Sequence, residues 1–323
     1  MNVALIFCDN LDEDPVALHV YRAVLGLLSV ERTDIELDGM RVLRARRGSA
    51  TTYIVRTETV LSHDYSRYSK FLNESLRDVS QVIIVNWHQG ANAPDRIFCI
   101  QATGDMESGC FSPVHPAVIR KLYFSIEQCR TEAGLDDYTT WLEATHWSGK
   151  LYQGQPGSTL LSINASVLDV EIGSSPTAWA NPTAANVLGR ALVRATDFTP
   201  RRESLIPILC VGGSHFEPSF TEFMQRYGQT EGYSVSHILP NQWLVSYKYD
   251  EPRHLNSLHA AAQSTVGGLA GIVYHDKLKA SFKEQARQLG ELLKVPAMSH
   301  RKFRNLASSD RLHDIFAARH DSD

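Results

Sequence analysis

Four histidines in this chain stand where an apolar, strand-like run gives way to a polar turn. They are His88 in "IIVNWHQG", His146 in "WLEATHWSG", His215 in "VGGSHFEP" and His237 in "YSVSHILP". A carboxylate of the same kind, Glu171, closes the strand pattern "SVLDVEIG" just before Gly173. Neutral imidazoles and a carboxylate are suitable zinc ligands. They can equally activate a water, because histidine titrates near neutral pH and acts as general base or as donor to a developing oxyanion. No HExxH or other close-spaced metal signature decides between the two. A serine nucleophile is disfavoured, since there is no GxSxG elbow and the adjacent Ser214 and His215 need not meet. A single strand-end histidine is more often structural; four of them with a glutamate point to a site.

Two segments share one design. "VEIGSSPTAW" ends a strand, turns through Gly173, and offers Ser174 or Ser175 as the cap of a helix starting at Pro176. "CVGGSHFEPSF" does the same through Gly212 and Gly213, with its helix starting at Pro218. In a largely parallel sheet both turns lie at the carboxyl ends of strands, where open α/β folds bind ligands. Glycine lets the backbone approach a ligand, and free N–H groups at a helix start favour anionic or carbonyl oxygens. Glu171 and His215 are then expected to face one crevice. The plainer alternative is that the glycines only make the turns.

The elements that position these residues alternate along the chain. "VALIF", "TTYIVRT", "QVIIVNW", "RIFCIQA", "YTTWLEATHW", "SVLDVEIG", "LIPILCV", "YSVSHILP" and "AGIVYH" read as strands. Helical spacing recurs in "PVALHVYRAVLGLL", from Pro116 to Cys129, from Pro176 to Ala195, after Pro218, and from Leu278 to Leu293. The order predicts an α/β fold, a mixed and largely parallel sheet flanked by helices, over residues 1–304. Residues 148–159 read as a long exposed loop. Residues 305–323 show little apolar periodicity and are expected to form a flexible tail.

With 323 residues, 43% of them hydrophobic, the chain can bury a full core. Its net charge of −4 carries no strong basic field and argues against DNA as a partner. Two local basic runs, Arg41, Arg44, Arg46 and Arg47, and then Arg301, Lys302 and Arg304, read as solvated faces that remain compatible with RNA phosphates. Five scattered cysteines without a CxxC predict neither disulfides nor a thiolate metal site, and Cys8, Cys99 and Cys210 read as small buried hydrophobes. The opening "MNVALIFCDNLDED" has no basic region and too short an apolar run for a signal peptide, and no segment is long enough to span a membrane. A cytoplasmic protein is expected.

Taken in order, "EATHWSG", "VEIGSSPTAW", "VGGSHFEPSFTE" and "SHILP" resemble the D-aminoacyl-tRNA deacylases of archaeal and plant type. "IVRTETVLSHDY" and "VIIVNWHQG" before them and "GIVYHDKLKASFKEQ" after them extend the resemblance over roughly residues 1 to 304. It implies a fold related to peptidyl-tRNA hydrolase and the phosphorylases, hydrolysis of the ester joining a D-amino acid to the 3′ end of tRNA, and zinc dependence. His146 matches the first histidine of the family's Thr-His-His-Gly-Pro motif, and Glu171 and Gly173 match Glu-Ile-Gly. Gly212, Gly213 and His215 match Gly-Gly-x-His-Tyr-Ala-Pro, His237 a Gly-His motif, and His88 a histidine after an earlier strand. The resemblance thus implies His146, Glu171 and His215 as catalytic residues and zinc ligands. His88, Trp147, Gly173, Gly212, Gly213, Phe216, Glu217 and His237 are implied to bind the acceptor end of an aminoacyl-tRNA.

The chain departs from the family pattern at several of these positions. Trp147 replaces the second histidine, Ser148 and Gly149 replace Gly-Pro, and Phe216-Glu217-Pro218-Ser219 replaces Tyr-Ala-Pro-Arg. A Gly-Gly-Lys-Pro stretch survives only as "MESGCFSPVHP". Trp147 would add bulk and an aromatic face, and Glu217 would attract an amino group. These changes keep open a repurposed hydrolase of a non-canonical aminoacyl-tRNA or of a small aminoacyl ester or amide. They also keep open a non-catalytic binder of charged tRNA, against which so many convergent titratable groups argue.

Overall fold

The computed structural model describes residues 1–90, 93–196 and 205–307. The first strand, β1 (Val3–Cys8), is buried along its whole length, and α1 (Ala17–Leu25) lays Ala17, Val20 and Val24 against the core. An antiparallel meander follows: β2 (Glu31–Leu37), β3 (Met40–Arg47) and β4 (Ala50–Thr57). Asp38 and Gly39, both at positive φ, make its first turn, as a two-residue hairpin requires. The arginine run read as a solvated face is therefore strand β3, and Arg44 pairs with Glu31 at 2.7 Å and Arg41 with Glu36 at 3.9 Å. Next come α2 (Tyr65–Glu74), β5 (Gln81–His88), β6 (Ile97–Asp105), the short β7 (Cys110–Phe111), α3 (Pro116–Glu132) and β8 (Thr139–His146).

The expected loop at 148–159 is instead α4 (Ser148–Gln153) followed by a 3-10 turn from Gly157. After β9 (Ser166–Gly173), the helix expected from Pro176 to Ala195 breaks into α5 (Pro176–Trp179) and α6 (Pro182–Thr196). Pro182 forces the interruption, and the Asn181 side chain caps the new start by accepting from the N–H groups of Thr183 and Ala184. The remainder is β10 (Ile206–Val211), α7 (Pro218–Glu231), β11 (Tyr233–Leu239), α8 (Asn241–Ser246), α9 (Leu255–Gln263), β12 (Gly271–Tyr274), α10 (Ala280–Leu293), β13 (Ala297–Ser299) and α11 (His300–Ala307). Residues 305–307 complete α11, and the rest of the expected tail lies outside the described residues.

The strands divide between two sheets. A nine-stranded sheet has the order β2-β3-β4-β1-β5-β9-β6-β7, with β8 paired to β6, and a four-stranded sheet has the order β11-β10-β12-β13. Seven of the eleven strand pairs among the described residues are parallel. The expected class, a mixed and largely parallel α/β fold flanked by helices, is the one observed.

One antiparallel pairing decides the site. Because β6 runs against β9, β8, which is parallel to β6, also runs opposite to β5 and β9. His146 is therefore delivered from the other direction across the face of the sheet. The register places Asn86 opposite Glu171, Glu171 opposite Cys99, Asp169 opposite Gln101, and Gln101 opposite Glu143. Directly opposed residues share a sheet face. A row of polar side chains thus crosses strands whose other face carries Ile100, Val170 and Ile172 of the main apolar core. Among the described residues no helix is long and apolar enough to cross a membrane, and Cys8, Cys99 and Cys210 are buried free thiols.

Candidate active site

Glu143 sits at the centre of the site, a residue that strand-end reasoning passes over. Its carboxylate is buried, and three imidazoles surround it: His215 Nε2 at 2.7 Å, His88 Nε2 at 3.4 Å and His146 Nδ1 at 3.9 Å. Simple alternation would put Glu143 and His146 on opposite faces of β8. Between Glu143, opposite Gln101, and His146, opposite Thr103, the strand holds one residue more than its partner. That bulge rotates His146 onto the face of Glu143 and sends Thr145 the other way. His215 arrives from the other sheet on the turn after β10, which its own carbonyl pins to β8 by accepting from the Ala144 N–H at 2.9 Å.

The charges follow from this packing. Burial alone would raise the pKa of Glu143, yet the hydrogen bonds from His215 and His88 and the neighbouring His146 hold it well below the ordinary carboxylate range. An ionised Glu143 can only accept, so His215 donates from Nε2. Glu171 is the opposite case: burial first, then the charge of Glu143 and the proximity of Asp169, push it well above its ordinary value and keep it a neutral acid. Asp169 beneath, bonded by Asn86 at 2.8 Å, is raised by burial to about 7. His146 is shifted down, chiefly by desolvation. Its Nδ1–H donates to the Ala144 carbonyl at 2.9 Å, which leaves the Nε2 lone pair as the atom able to take a proton.

These groups open onto a cleft of about 410 Å³ whose lining includes His88, Glu143, His146, Glu171, His215 and Phe216. Phe216 lies edge-on to His88, with ring centroids 5.1 Å apart, and so packs the imidazole from the side. Gly173 is needed for closeness, because a Cβ there would come within 2.6 Å of the His88 Cβ. Trp147 walls the cleft with its indole Nε1 buried and unpartnered, and Gly149 makes room for that ring.

Gly212, Gly213, Glu217 and His237, four of the expected binding residues, lie outside the lining of this cleft. Gly212 and Gly213, at φ +93° and +83°, shape the turn, but the Gly212 N–H donates to the Leu239 carbonyl at 2.7 Å and is not free for a substrate oxygen. Gly213 and Glu217 line a neighbouring cleft with His275. The Glu217 carboxylate ties the turn to α7, accepting from the Ser214 N–H at 2.9 Å and the Ser219 hydroxyl at 2.8 Å. His237 is fully buried between the two sheets, held by Thr145 at 3.1 Å and Ser264 at 2.9 Å, and burial lowers its pKa to about 3. It acts there as a neutral crosslink.

The donor atoms that could share a metal ion are those of His88, Glu143 and His215, all within 4.8 Å of one another. The second carboxylate oxygen of Glu143, buried and without a partner, is the kind of orphan that a cation satisfies. Two imidazoles and a carboxylate beside an open cleft fit a divalent ion that keeps a free position. Of the residues expected as ligands, His215 belongs to this group. His146 stands beside it, and Glu171 joins Cys99 and Glu143 in a fully buried second group whose thiol is held protonated by burial and by both carboxyls.

Residues 75–298 match the family described as D-aminoacyl-tRNA deacylase. The solved structure of a conserved protein of unknown function, AF0625, shares 15% identity with this chain and covers 94% of it and 96% of its own length, with a TM-score of 0.72. At that identity the likeness establishes the fold. Futalosine hydrolase of Helicobacter pylori, at 7% identity, covers 61% of this chain and 97% of its own, with a TM-score of 0.39. The 5′-methylthioadenosine/S-adenosyl homocysteine nucleosidase of Campylobacter jejuni, at 8% identity, covers 61% and 99%, with a TM-score of 0.36. No curated protein matches the sequence.

Proposed function

We propose, from the premise that this chain belongs to the D-aminoacyl-tRNA deacylase family, that it hydrolyses the ester joining a D-amino acid to the 3′ end of tRNA, in the cytoplasm. The observation that carries the reading is the buried, ionised Glu143 ringed by His88, His146 and His215 at the floor of an open cleft. Ester hydrolysis needs a base for water, stabilisation of the charge that develops on the acyl oxygen, and a proton for the departing ribose oxygen. His146, whose Nδ1–H is engaged by the Ala144 carbonyl, would take the proton of a water at Nε2 as that water's oxygen bonds to the acyl carbon. Glu171, which lines the cleft and whose protonated form burial favours, would give a proton to the ribose oxygen as the ester C–O bond breaks. His88, His215 and Glu143 suit a zinc ion, which when bound would polarise the acyl oxygen and acidify water. Phe216 and Trp147 shape the wall against which the acyl group lies, and selection of the D form is assigned to that wall.

The test is hydrolysis of matched D- and L-aminoacyl-tRNAs by the purified protein, with chelator and with added zinc. Preferential release of the D-amino acid, lost with chelator and restored by zinc, is expected. His146→Gln should lower kcat by about 100-fold with little change in KM, the scale of a lost general base. Absence of release from either stereoisomer would sink the proposal.

A further inference from the structure

The cleft has an aromatic lip that ester chemistry does not use. The rings of Tyr152 and His63 are stacked, with centroids 3.7 Å apart and planes at 18°, and His63 meets Trp87 edge-on at 5.8 Å. All three line the same cleft as Glu143. Tyr152 is nevertheless 53% exposed and its neighbour Leu151 81% exposed, whereas Trp147 on the inner wall is 6% exposed. The lip is held in place: Gln155 bonds Asp64 at 2.7 Å and Ser66 at 2.9 Å, and Lys150 pairs with Glu107. Burial lowers the His63 pKa to about 4, so the stack is uncharged at neutral pH. No lysine or arginine lines the cleft among the described residues. A rigid, neutral π-face at the mouth of a site suits a flat heteroaromatic ring and not a phosphate.

We infer that the outer face of Tyr152 is the platform on which the purine of the substrate's 3′-terminal nucleotide stacks, extending the His63–Tyr152 stack by one ring. The inference rests on the proposed reading of the site for its substrate. With the ester carbon near Glu143, the acyl group takes the inner wall at the buried Trp147 and the half-buried Phe216, and the part that extends toward solvent is the terminal adenosine. Leu151 would cover the edge of the base.

The probe is adenosine 5′-monophosphate, titrated by calorimetry into the parent, Tyr152→Phe and Tyr152→Ala, alongside KM and kcat for aminoacyl-tRNA. Stacking of a base on an aromatic ring predicts that Tyr152→Ala weakens nucleotide binding by about tenfold or more while Tyr152→Phe retains it. In turnover, KM should rise similarly with kcat within about threefold. Because nucleotide binding needs no turnover, this result supports the platform even where no aminoacyl-tRNA is cleaved. Absence of nucleotide binding by the parent at about 10 mM, or equal binding by Tyr152→Ala, would overturn it while leaving any observed hydrolysis intact. A Tyr152→Ala defect in turnover that grows with the size of the amino-acid side chain, with nucleotide binding unchanged, would assign the lip to the acyl group and overturn it as well. Melting curves check that the variants, altered at a half-exposed position, stay folded.

Discussion

Glu143→Gln removes one charge and almost no volume from the centre of the site. The carboxylate accepts a full hydrogen bond from His215 at 2.7 Å and a longer contact from His88 at 3.4 Å. A hydrogen bond to a charged group is worth about 1.5–3 kcal/mol, and the longer contact about half of that, which gives about 2–4 kcal/mol in all. If the imidazoles need this anion to keep their orientation, or to hold a cation, kcat/KM should fall about 30- to 1,000-fold. The assay is steady-state hydrolysis of D-aminoacyl-tRNA, with bound metal measured by mass spectrometry and folding by thermal denaturation. Metal content should fall together with activity. A variant that keeps its activity within about fivefold would refute the reasoning and make Glu143 a structural anchor only.

Two further outcomes follow from packing and burial. Asp14 is fully buried; one of its oxygens accepts from the Val16 and Ala17 N–H groups at 2.8 Å and the other has no partner, and burial raises its pKa to about 7. Since the unfolded value is about 4, the folded state binds the extra proton, and the Asp14 contribution, fully present below about pH 4, is lost as pH rises to about 7. Asp14→Asn should flatten that slope and exceed the parent at pH 8 by about 1–2 kcal/mol, net of a buried amide left unpaired; denaturant titrations at pH 4, 6 and 8 test this, and a less stable variant at pH 8 contradicts it. In Gly149→Ala the new Cβ would meet the Trp147 indole Nε1 at 2.5 Å, so the ring must shift at a cost of about 1–3 kcal/mol, with a rise in KM. A parental melting temperature together with parental kinetics would show that the wall yields freely.

Much of the frame is legible from residue patterns. The long apolar strands and the helices that start at Pro116 and Pro218 stand where their spacing puts them, because burial of an apolar stripe is a local property of the sequence. The hairpin through Asp38 and Gly39 goes unread, because its charged, half-exposed strands lack the apolar run that marks a strand. Glu143 could have been found from a different signal. Asn86, Gln101, Glu143, Asp169 and Glu171 are polar residues set inside otherwise apolar strands, where an uncompensated charge is costly to bury. Position after an apolar run does not rank the four histidines, and His237 lies within β11 as a crosslink between the sheets and not at a strand end.

The sequence by itself determined the class of fold, the buried cysteines and the chemical types gathered at the site, since each depends on composition and on spacing within one element. Only the tertiary structure decided which of those groups meet. The reversed direction of β6 and β8 and the bulge before His146 depend on how strands pair, and no residue pattern within β8 announces either. The division into two sheets, which brings His215 onto Glu143 and takes Glu217 away, likewise depends on contacts between residues 72 positions apart. A carboxylate becomes a strong anion or a neutral acid according to what surrounds it, and for Glu143 and Glu171 the surroundings exist only once the chain is folded.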